Sequence, residues 1–265
     1  MHTFGIVGPD AEAACDRLVD ALDGRVAVVR NTGTDSVREE ADGGRQQARP
    51  ATEYDLGAEW RAYGETLTLD ETFDRLAPDH DYAVAVGWPE AALPQVVLGD
   101  TDVETTLVAA ADAASLDVEA VLDAVADLDP HVTLESLVAA VKRSPDADRS
   151  GAIATFTGRV RARDAPDDER TQLLEFEKYD GVAERTMRRI ESELEARDGV
   201  FEVAMYHRTG VIPDGEDIVF VVVLAGHREE AFRTVEDGIN RLKDEVPIFK
   251  KEVTESETFW VHERE

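Results

Sequence analysis

The spacing of apolar residues changes along the chain, and each change marks an element. Thr3 to Val7 predicts a strand, Gly8-Pro9 a turn, and the apolar spacing from about Asp10 to Leu22 a helix. Arg25 to Arg30 (RVAVVR) is a second strand candidate, whereas residues 31–53 are polar, rich in Gly, Arg, Gln and Asp, and read as a long loop. A helix near 70–77 precedes an apolar strand from Tyr82 to Val86, and residues 101–130, rich in Ala, Asp and Val, carry helical spacing. Strands alternating with helices point to a parallel α/β sheet.

After a loop at 144–150 the pattern sharpens. Ala152 to Val160 and Thr171 to Tyr179 predict strands, the second with Leu174 and Phe176 on one face. Val182 to Arg197 predicts a helix with Met187, Ile190 and Leu194 at helical spacing. Phe201, Val203 and Met205 alternate with polar neighbours as in a half-buried strand, Pro213-Asp214-Gly215 is a turn, and the apolar run Ile218 to Ala225 predicts a central strand. Glu229 to Lys243 predicts a helix whose core face is Phe232, Val235, Ile239 and Leu242. Pro247 stops it, and Ile248 to Val253 reads as a further strand. There is no internal repeat. The fold class expected is α/β, with a parallel N-terminal domain over residues 1–128 and an α+β domain over 129–265.

Composition narrows the function. With 265 residues and 43% hydrophobic content the chain can build one large core or two ordinary ones. No apolar run reaches the roughly 18 residues of a membrane span, and the first ten residues lack a signal-peptide pattern. The single cysteine, Cys15, excludes an internal disulfide and any multi-cysteine metal site, so a reducing cytoplasm is the expected setting. A net charge of -30 argues against nucleic acid as the main partner and fits a protein kept soluble in a high-salt cytoplasm. The charge is uneven: residues 1–150 hold 11 Lys+Arg and 31 Asp+Glu, residues 151–265 hold 17 and 27. Only five lysines occur, Lys142, Lys178, Lys243, Lys250 and Lys251, and three of them fall within 243–251.

That cluster is the first place to look for chemistry. A helix ending at Lys243 and a strand holding Lys250, joined through Pro247, can turn both ammonium groups into one cleft. Crowded or desolvated lysines lose protons more readily; a neutral lysine is a nucleophile or base, a charged one holds an anion. Gly226-His227-Arg228 lies between strand and helix, where backbone N–H groups and the helix dipole favour an anion. Arg159, Arg161 and Arg163 alternate at a strand end, and alternation puts them on one face, as a phosphate or carboxylate receptor would need. At the N-terminus, Gly5-Ile6-Val7-Gly8 leads from strand to helix as a nucleotide loop would, but Gly8 to Cys15 contains no GKS or GKT, which speaks against nucleotide hydrolysis.

Taken in order, GAIATFTGRVR (151–161), LLEFEKYDGVAE (173–184), HRTGVIPDGEDIVFVVV (207–223), AGHREEAF (225–232), LKDEVPIFKKE (242–252) and WVHER (260–264) resemble the large, catalytic subunit of molybdopterin synthase from about Val132 to Arg264. The resemblance implies a sulfurtransferase. It would convert cyclic pyranopterin monophosphate to molybdopterin, taking sulfur from the thiocarboxylated Gly-Gly C-terminus of a small ubiquitin-like partner. It implies Lys243 and Lys250 as the catalytic lysines, one able to link transiently to the partner's C-terminus. Arg161, His227, Arg228 and Arg264 fall on positions that line the anionic pocket, and Arg159 ranks below them. It further implies no metal or cofactor, and a homodimer of large subunits within a heterotetramer. Residues GIVG, YDLGAEWRAYG (54–64) and YAVAVGWPEAALPQVVLGD (82–100) resemble the P-loop accessory protein of molybdopterin-guanine dinucleotide synthesis, in a degenerate form. The alternative is a non-catalytic scaffold for cofactor-pathway proteins, which would bind the small partner without transferring sulfur.

Overall fold

The computed structural model describes residues 1–33, 51–58, 60–64, 67–163, 165–179, 181–254 and 258–261. They form two compact units, Met1–His131 and Val132–Glu265.

The first unit contains β1 (His2–Val7), α1 (Ala11–Ala21), β2 (Val26–Arg30), β3 (Thr52–Leu56), β4 (Trp60–Gly64), α2 (Leu69–Leu76), β5 (Tyr82–Val86), β6 (Pro94–Leu98), β7 (Thr105–Ala110) and α3 (Val118–Ala126). Five strands make one sheet in the order β2-β5-β1-β6-β7, every pairing parallel, while β3 and β4 form a separate hairpin. A parallel sheet is covered on both faces, so its central strands read as unbroken apolar runs. Here α1 and α3 cover one face with Leu18, Val121 and Val125, and α2 covers the other with Phe73 against Ala83 and Ala85. The helical reading of 101–130 is corrected in part. Thr105–Ala110 is an edge strand, because its β-branched Thr105, Thr106 and Val108 suit the extended pairing with β6, and the helix begins only at Val118. Three residues, Gly8 to Asp10, join β1 to α1. Gly8 sits at φ +114°, where a Cβ would come within 2.0 Å of the Leu98 carbonyl oxygen. Asp10 stands at the N-cap of α1, where the helix dipole favours a negative charge, though its side chain makes no capping hydrogen bond.

The second unit contains α4 (Leu134–Lys142), β8 (Ala152–Arg159), β9 (Thr171–Lys178), α5 (Val182–Glu195), β10 (Val200–His207), β11 (Gly210–Pro213), β12 (Asp217–Ala225), α6 (Arg228–Glu245), β13 (Ile248–Thr254) and β14 (Thr258–Val261). One antiparallel sheet runs β10-β12-β8 and the other β11-β9-β13-β14. Strand β12 is buried on both faces: Val222 and Leu224 pack on α4, while Val221 and Val223 share a core with Ile190 and Leu194 of α5 and Leu242 of α6. This is the α+β arrangement expected.

The core face of α6 differs from the sequence reading. Phe232 is 63% exposed, and the buried stripe is Ala231, Thr234, Gly238, Ile239 and Leu242, with Val235 partly buried. Small residues let the helix lie close on β12. A Cβ on Gly238 would stand 2.9 Å from Met205 Cε and 3.0 Å from Val221 Cγ1. Phe232, about 100° round the helix from Ala231, therefore faces solvent. No helix of the described residues is long and apolar enough to cross a membrane.

Candidate functional site

The end of α6 carries Lys243, and the chain turns at once into β13. The Val246 N–H closes the helix on the Leu242 carbonyl at 3.1 Å, and the strand begins at Ile248. Ion pairs brace this helix end against α5. Arg241 reaches Glu193 at 2.5 Å and Glu245 at 2.6 Å, Arg189 reaches Glu245 at 2.6 Å, and together they hold the Glu245 carboxyl down to about 2.

Alternation along β13 puts Ile248, Lys250 and Glu252 on one face, which lines a cavity of about 350 Å³. Lys243 lines the same cavity from the helix end, and Gly158, Arg159 and Arg161 line it from the end of β8 and the residues after it. Leu174 and Phe176 of β9 form an apolar wall, and His207 at the end of β10 completes the lining. Lys243 and Lys250, on adjoining elements, thus converge with Arg161 from a segment distant in sequence. Lys251 points the other way and pairs with Glu175 at 2.7 Å, and Lys178 pairs with Glu184 at 2.7 Å.

The three arginines do not share a face. Strand β8 ends at Arg159, so alternation stops there. Arg159 and Arg161 line the cavity, while Arg163 donates to the Pro166 carbonyl at 3.2 Å. Arg159 is held by Asp217 at 3.0 Å and by the Gly215 carbonyl. His227 and Arg228 are exposed at the opposite end of α6, fifteen residues before Lys243, or roughly 22 Å along the axis at 1.5 Å per residue. They do not line this cavity. Arg264 lies outside the described residues.

Two cavity residues carry no assignment from sequence. His207 is buried, its Nδ1–H donates to the Arg208 carbonyl at 2.7 Å, and its ring meets Phe176 edge-on at 4.9 Å. Burial pushes its pKa down to about 4, so at neutral pH it is uncharged with Nε2 as an acceptor. Glu252 is the one carboxylate among the described residues that line the cavity, and Thr171 donates its hydroxyl to it. No group of three or more His, Cys, Asp or Glu suited to a metal occurs among the described residues.

A small, half-apolar cavity ringed by two lysines and two arginines defines an enzyme-type site for an organic anion. Comparison with known proteins gives its family. A profile of the MoaE protein family matches residues 128–245. The probable molybdopterin synthase of Haloferax volcanii is 52% identical over 266 residues, covering 100% of both chains. The molybdopterin synthase catalytic subunit of Pyrococcus abyssi is 34% identical over 128 residues, covering 48% of this chain and 82% of that one. A crystal structure of molybdopterin synthase from Staphylococcus aureus is 29% identical with a TM-score of 0.45, covering 51% of this chain and 94% of that one. The chain belongs to the molybdopterin synthase family. It is a sulfur-transferring enzyme of molybdenum-cofactor biosynthesis.

Proposed function

We propose that the cavity is where sulfur passes from the thiocarboxylated C-terminus of a small ubiquitin-like carrier to cyclic pyranopterin monophosphate, making the dithiolene of molybdopterin. The observation that carries this reading is the meeting of Lys243 and Lys250 with Arg161 in one cavity. The phosphate and the carrier's terminal group are anions, and the tetrahedral species between them is anionic too. Cations held in place around a cavity stabilise such charge more than freely moving ones do. Either lysine, when neutral, can attack the carrier's terminal carbonyl or take up a proton.

The resemblance assigns His227 and Arg228 to an anionic pocket, and from that we infer a homodimer. At roughly 22 Å from Lys243 along one helix, they can reach this kind of cavity only when a second copy presents its α6 N-terminus to it. The assembly we infer is two such chains with two carriers, in the cytoplasm, with sulfur transfer assigned to residues 129–265. The N-terminal unit has Gly8-Pro9-Asp10 in place of a phosphate loop, and we assign it an interaction role without nucleotide hydrolysis.

The test is direct. The purified full chain is mixed with thiocarboxylated carrier and cyclic pyranopterin monophosphate, and the oxidised pterin product is quantified. Lys243→Ala and Lys250→Ala should each lower turnover by about 100-fold or more. Full activity in Lys243→Ala would remove the assignment. Lys→Arg keeps the charge but supplies no neutral amine. Recovery of activity by the arginine variant would identify that lysine as an anion holder, and continued loss as a nucleophile or base.

A further inference from the structure

Glu252 sits in a cavity whose other charged groups, among the described residues, are cations, and whose proposed ligands are anions. A carboxylate there repels both the phosphate and the carrier's terminus, so it belongs where a ligand offers it donors.

The fold goes out of its way to hold it. On β9 the buried side chains are Leu174 and Phe176, and unbroken alternation would bury Gln172 and expose Thr171. The reverse is found: Thr171 is 6% exposed and Gln172 lies outside. The register between β9 and β13 shifts between Val253 and Thr254, and that irregularity turns the Thr171 hydroxyl into the cavity, where it donates to Glu252 Oε1. That hydrogen bond occupies one of the carboxylate's four acceptor positions.

We infer that Glu252 is a specificity-determining residue that reads the 2-amino-4-oxopyrimidine edge of the pterin, accepting from ring N3–H and the exocyclic 2-amino group. Those two parallel donors match the two oxygens of one carboxylate. Leu174, Phe176 and Ile248 supply an apolar surface for the flat ring beside it. Lys250 stands two residues away on the same strand face, so the ring edge and the reacting end are read from one strand. The inference rests on the cavity being the cyclic pterin site.

The experiment compares pterin with lumazine, which carries a 2-oxo group in place of the 2-amino group, by fluorescence titration of the full-length protein. The wild type should bind pterin about tenfold more tightly than lumazine, because lumazine sets an acceptor against the carboxylate. Glu252→Gln keeps an oxygen for Thr171 and should bring the two affinities within about twofold. Glu252→Asp retains the charge on a shorter arm and should keep part of the preference, so a poorly folded Gln variant does not decide the matter alone. In turnover assays Glu252→Gln should raise KM for the cyclic pterin about tenfold and move kcat less. A wild type indifferent to the 2-substituent, or a Gln variant that keeps the preference and the KM, would overturn this inference while leaving sulfur transfer intact. A wild type that makes no molybdopterin at all would instead overturn the reading on which it rests.

Discussion

His207 shows how burial sets the chemistry of one side chain. In the unfolded chain its imidazole takes a proton near pH 6.5, whereas in the folded protein it does so only at about 4, chiefly because the site excludes water. The unfolded state therefore binds more protons throughout that window. Stability at neutral pH is unaffected, falls as pH drops through 6.5, and has lost roughly 3 kcal/mol by the time the folded residue protonates. His207→Gln retains an amide N–H for the Arg208 carbonyl and cannot titrate. Urea melts between pH 7 and 4.5 should show a shallower acid decline for the variant, and superimposable profiles would mean that His207 is not the source. The site was partly legible at this scale. Lys243 and Lys250 stood out because lysine is scarce and Pro247 bends the chain between them. His207 left a weaker signal, since it continues the alternation of Val203 and Met205 onto the core face, but sequence does not show that a cavity opens beside it. Glu252 left only the alternation that puts it on the face of Lys250; its contact with Thr171 depends on a register shift between strands, and no pattern within either strand announces that.

At the scale of elements, β10 is the edge of its sheet, and edges invite pairing with other chains. Two glutamates of α5 occupy its free donors: Glu191 accepts the Met205 N–H at 2.7 Å and Glu195 the Val203 N–H at 2.9 Å. Burial raises both carboxyl pKa values, outweighing those hydrogen bonds. A raised carboxyl pKa means the folded state favours the protonated form. That contribution is complete below the unfolded pKa and is lost as pH rises through the folded one, so at pH 7 the buried charge is a burden. Glu191→Gln keeps the acceptor without the charge and should melt at or above the wild-type temperature at pH 7. Glu191→Ala strands the Met205 N–H and should lose about 1–3 kcal/mol. A Gln variant as unstable as the Ala variant would show that the charge itself is needed. Elements were legible where period and turn residues agreed, as in β12, β13 and α6. They were not where neighbours decide: β7 is a short strand, set in an alanine-rich stretch, that pairs with β6, and the buried stripe of α6 is chosen by the closeness that Gly238 permits, not by Phe232.

For the whole molecule the governing number is the net charge of -30. Twenty-eight cations cannot neutralise 58 acids, and many pairs that do form, such as Arg149–Asp146 and Arg189–Glu193, are solvent-exposed and add little to stability. What remains is repulsion spread over a lysine-poor surface. Its range is set by the ionic atmosphere, about 10 Å at 0.1 M salt and about 3 Å at 1 M. Salt weakens the exposed pairs as well, but acids outnumber bases about two to one, so screening removes more repulsion than attraction. Thermal melts of the full chain should therefore rise by several degrees between 0.1 and 2 M KCl, with most of the gain below about 1 M, where the screening length changes most. Parallel melts in equimolar sucrose, which does not screen charge, separate this effect from general solute exclusion. A melting temperature that stays flat or falls with KCl would mean that the acidic surface is not what limits stability, and that the two apolar cores outweigh it at any ionic strength.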